Sequence, residues 1–187
     1  TLGVVGESGC GKSTVGRAIM QILDKPGHVA GGGIEWAPEN GTKLDIVEQK
    51  PNGLEMRTLR GGDIALVFQE PMTSFSPIHT IGNQMSEVIR LHQDKTPAEA
   101  REWAEELLNT VGIPSPSQRY DEYSYQLSGG LRQRAMIAMA ISCNPRLLIA
   151  DEPTTALDVT TQAQILDLFR KLQADNQMAI MLITHNL

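Results

Sequence analysis

Residues Gly6, Glu7, Ser8, Gly9, Cys10, Gly11, Lys12, Ser13 and Thr14 fit the pattern G-x-x-x-x-G-K-[ST], whose chemistry is phosphate binding. Its glycines permit a backbone turn whose amides converge on an anion, and a helix starting at the loop adds positive potential. Lys12 is placed to neutralise the β and γ phosphates of a nucleotide such as ATP, and the Ser13 hydroxyl to reach Mg²⁺. The pattern carries this meaning only between a strand and a helix. Both are expected here, since Leu2 to Val5 is a short apolar run and Ser13 to Leu23 carries apolar residues at helical spacing. Cys10 stands at a variable loop position. Either it is a tolerated side chain, or its place at a helix start makes it a target whose alkylation blocks the nucleotide.

A second set of candidates lies at other strand ends. Leu147 to Ala150 is a continuous apolar run, as in a buried parallel strand, and it stops at Asp151 and Glu152. Alone, such an acid pair reads as a cap or a solvated turn. Beside a phosphate loop, Asp151 is positioned to reach Mg²⁺ through water and Glu152 to orient or deprotonate the attacking water. Gln69 closes the strand Ile64 to Phe68, within reach of both Mg²⁺ and that water. His185 follows a last strand at Ala179 to Ile183, where a γ-phosphate contact is the better reading. Leu127, Ser128, Gly129 and Gly130 precede an apolar helix from Arg132 to Ile141, so Ser128 and the glycine amides form a second anion-binding helix start.

The elements that must position these groups alternate as strand and helix, which indicates an α/β core around a parallel sheet. Val29 to Gly62 is rich in Gly, Asn and Pro, with one strand at Gly33 to Trp36 and an otherwise loop-prone course. From Ile81 to Ile141 the pattern is mainly helical. Its clearest helix opens with Thr96 as cap, Pro97 at the first position and Glu99 closing a capping box; Trp103, Leu107 and Leu108 form its buried stripe and Gly112 ends it. Asp158 caps a further helix whose inner face is Ile165, Leu166, Phe169 and Leu172. The expected division is one domain, with a core of residues 1–70 and 144–187 and a helical insertion over about 71–143.

Of the 187 residues, 41% are hydrophobic and 20% charged, a globular profile with enough apolar material for a real core. No apolar run reaches the roughly 20 residues of a bilayer helix. A formal net charge of -6 argues against a broad nucleic-acid surface, although a local basic groove is compatible with it. Two cysteines, Cys10 and Cys143, are too few for a disulfide framework and lack metal-ligand spacing, which fits a reducing compartment. The chain reads as a fragment of something longer, because a strand is already under way at Thr1 and Leu187 follows directly on another apolar run.

Taken in order, Gly6 to Thr14, Gln69, Leu127 to Gly130, Leu147 to Glu152, Thr155 to Asp158 and His185 resemble the motif series of ABC-transporter ATPase subunits. Val67 to Pro77, Arg132 to Met139 and Leu147 to Val159 look like the dipeptide and oligopeptide importer branch. The resemblance implies a P-loop NTPase (RecA-like) core with an inserted helical subdomain and most of an N-terminal antiparallel β part, with its adenine-stacking aromatic, absent. It implies an ATPase using ATP and Mg²⁺, peripheral at the cytoplasmic face of the inner membrane, that powers peptide uptake. The implied partners are a second ATPase subunit, the same or different, and integral membrane permeases; no nucleic acid is expected. In such pairs Ser128, Gly129 and Gly130 act in trans on the partner's ATP, and Asp158 lies at the dimer contact. A soluble ABC ATPase acting on nucleic acid or ribosomes is the alternative. Leu131, where the family has Gln or Met, and Asn186, where importers carry Asp, are departures expected to be mild.

Overall fold

The computed structural model of the chain describes residues 1–38, 43–69, 74–155 and 157–185. Four strands, β1 (Leu2–Val5), β4 (Ile64–Val67), β5 (Leu147–Asp151) and β6 (Ala179–Thr184), form one sheet in the order β1-β6-β5-β4. All its neighbours pair in parallel, as apolar runs covered by helices on both faces should. The register is level at one edge: Val5 stands opposite Thr184, Ile183 opposite Asp151, and Ala150 opposite Val67. Every residue that follows these strands therefore emerges at the same carboxyl edge.

The period-2 alternation of the strands divides the core into two. Ile64, Ile149 and Ile183 face one side with Met20, Ile46, Met56 and Leu59. Ala65, Val67, Leu148, Ala150 and Ile180 face the other, against the larger cluster. On the first face lies α1 (Lys12–Ile19). It approaches closely because Gly16 has no side chain: a Cβ there would stand 3.2 Å from Ile149 Cγ2 and 3.4 Å from Ile183 Cδ1. The helix ends four residues before Leu23, where it was expected to end, since Met20 caps it and Gln21 turns left-handed at φ 49°. The Gln21 amide then donates to the carbonyls of Ile46 and Gln49.

In the stretch that reads as loop, β2 (Glu35–Trp36) and β3 (Leu44–Asp45) form a small antiparallel pair, and α2 (Leu54–Thr58) leads through a wide turn at Leu59–Asp63 into β4. The expected strand at Gly33 to Trp36 shrinks to its last two residues. Elements of two and five residues are too short to print a period on the sequence. The expected strand end at Phe68 likewise moves back to Val67.

Between β4 and β5 stand α3 (Ile81–His92), α4 (Pro97–Thr110), the short α5 (Pro116–Tyr120) and α6 (Gly129–Ile141). The capping box of α4 is present: Thr96 Oγ1 accepts from Glu99 N at 3.3 Å, and Glu99 Oε2 accepts from Thr96 N at 2.8 Å. Leu107 and Leu108 are buried as expected, Trp103 is half-buried with its indole N–H on Ser142 O at 2.8 Å, and Gly112 turns left-handed at φ 77° just past the helix. Helix α6 begins three residues before Arg132, because the Ser128 cap outweighs the poor propensity of Gly129 and Gly130. Helix α7 (Val159–Asn176) buries Ile165, Leu168, Phe169 and Leu172. That i, i+3, i+4, i+7 stripe excludes Leu166, expected inside but 37% exposed.

Tyr120 locks the helices together. Its hydroxyl lies 2.7 Å from Ser86 Oγ, the Arg101 guanidinium stands 4.3 Å over its ring, and the ring packs directly on Gly82 with no room for a Cβ. Gly82→Ala is therefore expected to destabilise the protein by about 1–3 kcal/mol through overpacking. Gly3→Ala in β1 meets open space and should stay within about 0.5 kcal/mol of the parent. Denaturant melts of the two variants check the contrast, and equal stabilities would refute it.

Candidate active site

The loop after β1 ends in a helix with unused donors. Gly9 at φ 80° and Gly11 at φ 94° take the left-handed turns that close the loop. Among the described helices of eight residues or more, α3, α4, α6 and α7 each have a side-chain cap, from Thr80, Thr96, Ser128 and Asp158. Helix α1 has Gly11 at the cap position, no side-chain cap and no acid in its first turn. Its orphan amides and the positive end of its dipole are thus left for an external anion. The buried Lys12 lies inside the loop, donating from Nζ to Gly6 O at 2.8 Å and to Glu7 O at 2.7 Å. Glu7, Ser8, Gly9, Cys10, Gly11 and Thr14 are exposed, and Cys10 Sγ lies 3.9 Å from Lys12 Nζ.

The level register delivers the remaining groups beside this loop. Ser13 Oγ donates to Asp151 Oδ1 at 2.9 Å, joining the start of α1 to the end of β5. Burial raises the Asp151 carboxyl above the usual range and the neighbouring Glu152 pushes the same way, while the Ser13 hydroxyl, Arg17 and Lys12 hold it back. Glu152 continues the ladder, with its N–H on Ile183 O at 2.9 Å, and then turns left-handed at φ 44°. A non-glycine residue there stores about 1–2 kcal/mol of strain.

The Glu152 carboxylate is the hub of the site. Oε1 lies 3.0 Å from His185 Nδ1, and Oε2 accepts from Gln69 Nε2 and from Thr155 Oγ1, each at 3.0 Å. Burial works to raise this carboxyl, but hydrogen bonds from His185 and Thr155 and the charges of His185 and Lys12 outweigh it and leave it below the ordinary value. The two adjacent acids are thus pushed in opposite directions. Gln69 and His185, expected at Mg²⁺ and the γ-phosphate, here hold Glu152 from either side.

Ser128, Gly129 and Gly130 are placed differently. Ser128 and Gly129 are exposed, and the hydrogen bond described for Ser128 stays in its own helix, Oγ accepting from Leu131 N at 3.4 Å. A Cβ at Gly130 would come 3.1 Å from Thr161 Cγ2. Thr161 in turn gives its N–H and its hydroxyl to Asp158, at 2.9 and 2.7 Å, so the starts of α6 and α7 are packed together. Asn186, and the stretch Glu70 to Thr73 within the importer-like Val67 to Pro77, lie outside the described residues, as does Ala156 between Thr155 and Asp158. Sequence reasoning placed Thr155 in a family motif and gave it no role. Its signal is the spacing, a hydroxyl three residues after Glu152 across a proline turn.

The donor set fits Mg²⁺ and a nucleotide triphosphate. A hydroxyl and one carboxylate are hard oxygen ligands, and among the described residues no three His, Cys, Asp or Glu form a protein cage. A cation held by Ser13 and Asp151 would share its remaining positions with phosphate oxygens and water, as Mg²⁺ does.

The family model described as ABC transporter matches residues 1–155. The dipeptide transport ATP-binding protein DppD of Escherichia coli (strain K12) is 52% identical over 186 residues, covering 100% of this chain and 55% of that protein. A putative peptide import ATP-binding protein of Brucella melitensis is 52% identical over 188 residues, covering 100% and 55%. The chain thus spans about half the length of the curated relatives it matches. Among solved structures, the dimeric post-hydrolysis state of the ATP-binding cassette MJ0796 bound to ADP and Pi superposes with a TM-score of 0.81 at 28% identity, covering 99% of this chain and 74% of that one.

Because burial penalises the ionised form of Asp151, Asp151→Asn is expected to raise the nucleotide-free Tm by about 2–4 °C at neutral pH. The same change should weaken Mg²⁺-dependent nucleotide binding at least about tenfold. A wild-type proton taken up by the raised carboxyl stabilises the fold, so its contribution falls as pH rises through the folded pKa, and the variant should lack that fall. Thermal melts against pH check both, and a lower Tm in the variant would contradict them.

Proposed function

The chain belongs to the ABC transporter family, and on that footing we propose that it is the ATP-binding and ATP-hydrolysing portion of a subunit that powers solute import, with peptides as cargo. The observation that carries the catalytic half is the Glu152 carboxylate, held by Gln69, Thr155 and His185 beside the Ser13–Asp151 pair and next to an uncapped helix start. The peptide cargo is supported by the names of two relatives, a dipeptide transport and a peptide import ATP-binding protein.

In this reading the α1 amides and Lys12 receive the β and γ phosphates, and Ser13 and Asp151 hold Mg²⁺. Mg²⁺, when bound, spreads the charge that develops on the phosphates. Glu152 takes a proton from the attacking water as its oxygen bonds to the γ phosphorus and the bridging P–O bond to ADP breaks. His185 and Gln69 orient the carboxylate and the γ-phosphate, being the residues that follow the strands on either side of β5. Ser128, Gly129 and Gly130 act on the ATP of a second ATPase subunit, the same chain or a different one, and Asp158 lies at that contact. The exposure of Ser128 and Gly129 suits a trans role.

The proposed membrane partners are integral permease subunits, with this chain peripheral at the cytoplasmic face of the inner membrane. Among the described residues no helix is long and apolar enough to cross a membrane, which suits a subunit that depends on such partners. The division into a core of 1–70 and 144–187 and a helical subdomain of about 71–143 belongs to the same proposal.

Two variants of the full-length protein separate the roles. Lys12→Ala should lose ATP binding. Glu152→Gln should bind ATP with near-normal affinity while turnover falls about 10²–10⁴-fold, the worth of a general base. ATP binding by equilibrium titration and phosphate release by a coupled assay check both. Normal turnover in Glu152→Gln would remove the base assignment, and normal binding in Lys12→Ala the loop assignment.

A further inference from the structure

Thr155 belongs to a motif of which the assigned roles use only Asp158, and its own contacts give it a role. Glu152 and Thr155 are joined twice: Thr155 N donates to Glu152 O at 3.1 Å, closing a turn, and Thr155 Oγ1 donates to Glu152 Oε2 at 3.0 Å. The other two partners of the carboxylate come from elsewhere. Gln69 follows β4 and His185 follows β6, so each reaches Glu152 across the sheet edge and moves with its own strand end. Of the three described partners, Thr155 alone rides on the turn that carries Glu152. That turn is itself constrained, with Glu152 held left-handed at φ 44° and Pro153 fixing the next φ.

We propose that Thr155 is the positioning residue of the general base, its hydroxyl fixing which way the Glu152 carboxylate points while Gln69 and His185 exchange partners during the cycle. The proposal rests on the reading of Glu152 as base. If Gln69 or His185 is drawn away by the γ-phosphate, the carboxylate keeps one local hydrogen bond on Oε2 and cannot swing off the line of attack. A one-ångström error at a reacting atom costs about a hundredfold in rate, so a tether three residues away is worth a measurable part of turnover. Thr155 is exposed while Glu152 is 9% exposed. Replacing the hydroxyl therefore removes a hydrogen bond without opening the core.

The test uses full-length protein and compares Thr155→Val, Thr155→Ser and Glu152→Gln with the parent for kcat, KM for Mg-ATP and Tm; Thr155→Ala replaces the valine variant if that fails to fold. Thr155→Val should lower kcat about tenfold with KM within about twofold, and Thr155→Ser should restore kcat. A merely structural role would lower Tm and would not split kcat from KM. If Glu152→Gln is inactive while Thr155→Val turns over within about twofold of the parent, or if serine fails to rescue, the proposal is overturned and the base stands. If Glu152→Gln turns over normally, the base reading itself fails.

Discussion

The hydrogen bond from Ser13 Oγ to Asp151 Oδ1 joins residues 138 apart in sequence, and it forms because β1 and β5 run parallel with β6 between them. A parallel sheet in level register sends every strand's following residue to one edge. The loop Gly6 to Thr14, Gln69, Glu152 and His185 owe their meeting to that constraint. Each of these groups hangs from the end of a strand whose apolar side chains are locked in two clusters. Precision at the site is therefore inherited from packing below it, with Gly16 allowing α1 to lie close enough for Ser13 to reach.

Around this edge the local electrostatics differ from group to group. A helix start is left uncapped, a carboxyl raised by burial faces Ser13, and a second carboxyl held low by its donors stands one residue on. The segment Leu127 to Gly130 is built by the opposite rule, with its helix start capped by Ser128 and packed on the Asp158 cap through Thr161. One helix start leaves its donors open within its own loop. The other presents an outward face, which in the proposed function meets a partner's nucleotide.

Motif and pattern together made most of this legible. The apolar runs of β1, β4, β5 and β6 are continuous because both faces of the sheet are covered, and Thr96 with Glu99 announces α4 by a chemistry that needs no tertiary context. The α/β fold follows from their alternation, and the superposition on an ABC cassette agrees with it. What stayed illegible was short or contextual. Elements of two residues such as β2 and β3 carry no period. Leu166 is apolar yet lies one position off the stripe of α7. Gly82 reads as a weak helix residue until Tyr120 is found against it. The partners of Glu152 come from three separate strand ends or turns, and one sequence does not print such a juxtaposition.

In the proposed function a second subunit completes the site, and the dependence of ATP turnover on protein concentration tests that most directly. Full-length protein is assayed over about a hundredfold range of concentration, beside Ser128→Arg, whose bulky side chain obstructs a trans contact. Turnover per subunit that climbs with concentration in the parent and stays flat and low in Ser128→Arg is the predicted result. Turnover per subunit that is constant in both, at equal rates, would mean that one chain suffices and would contradict the account.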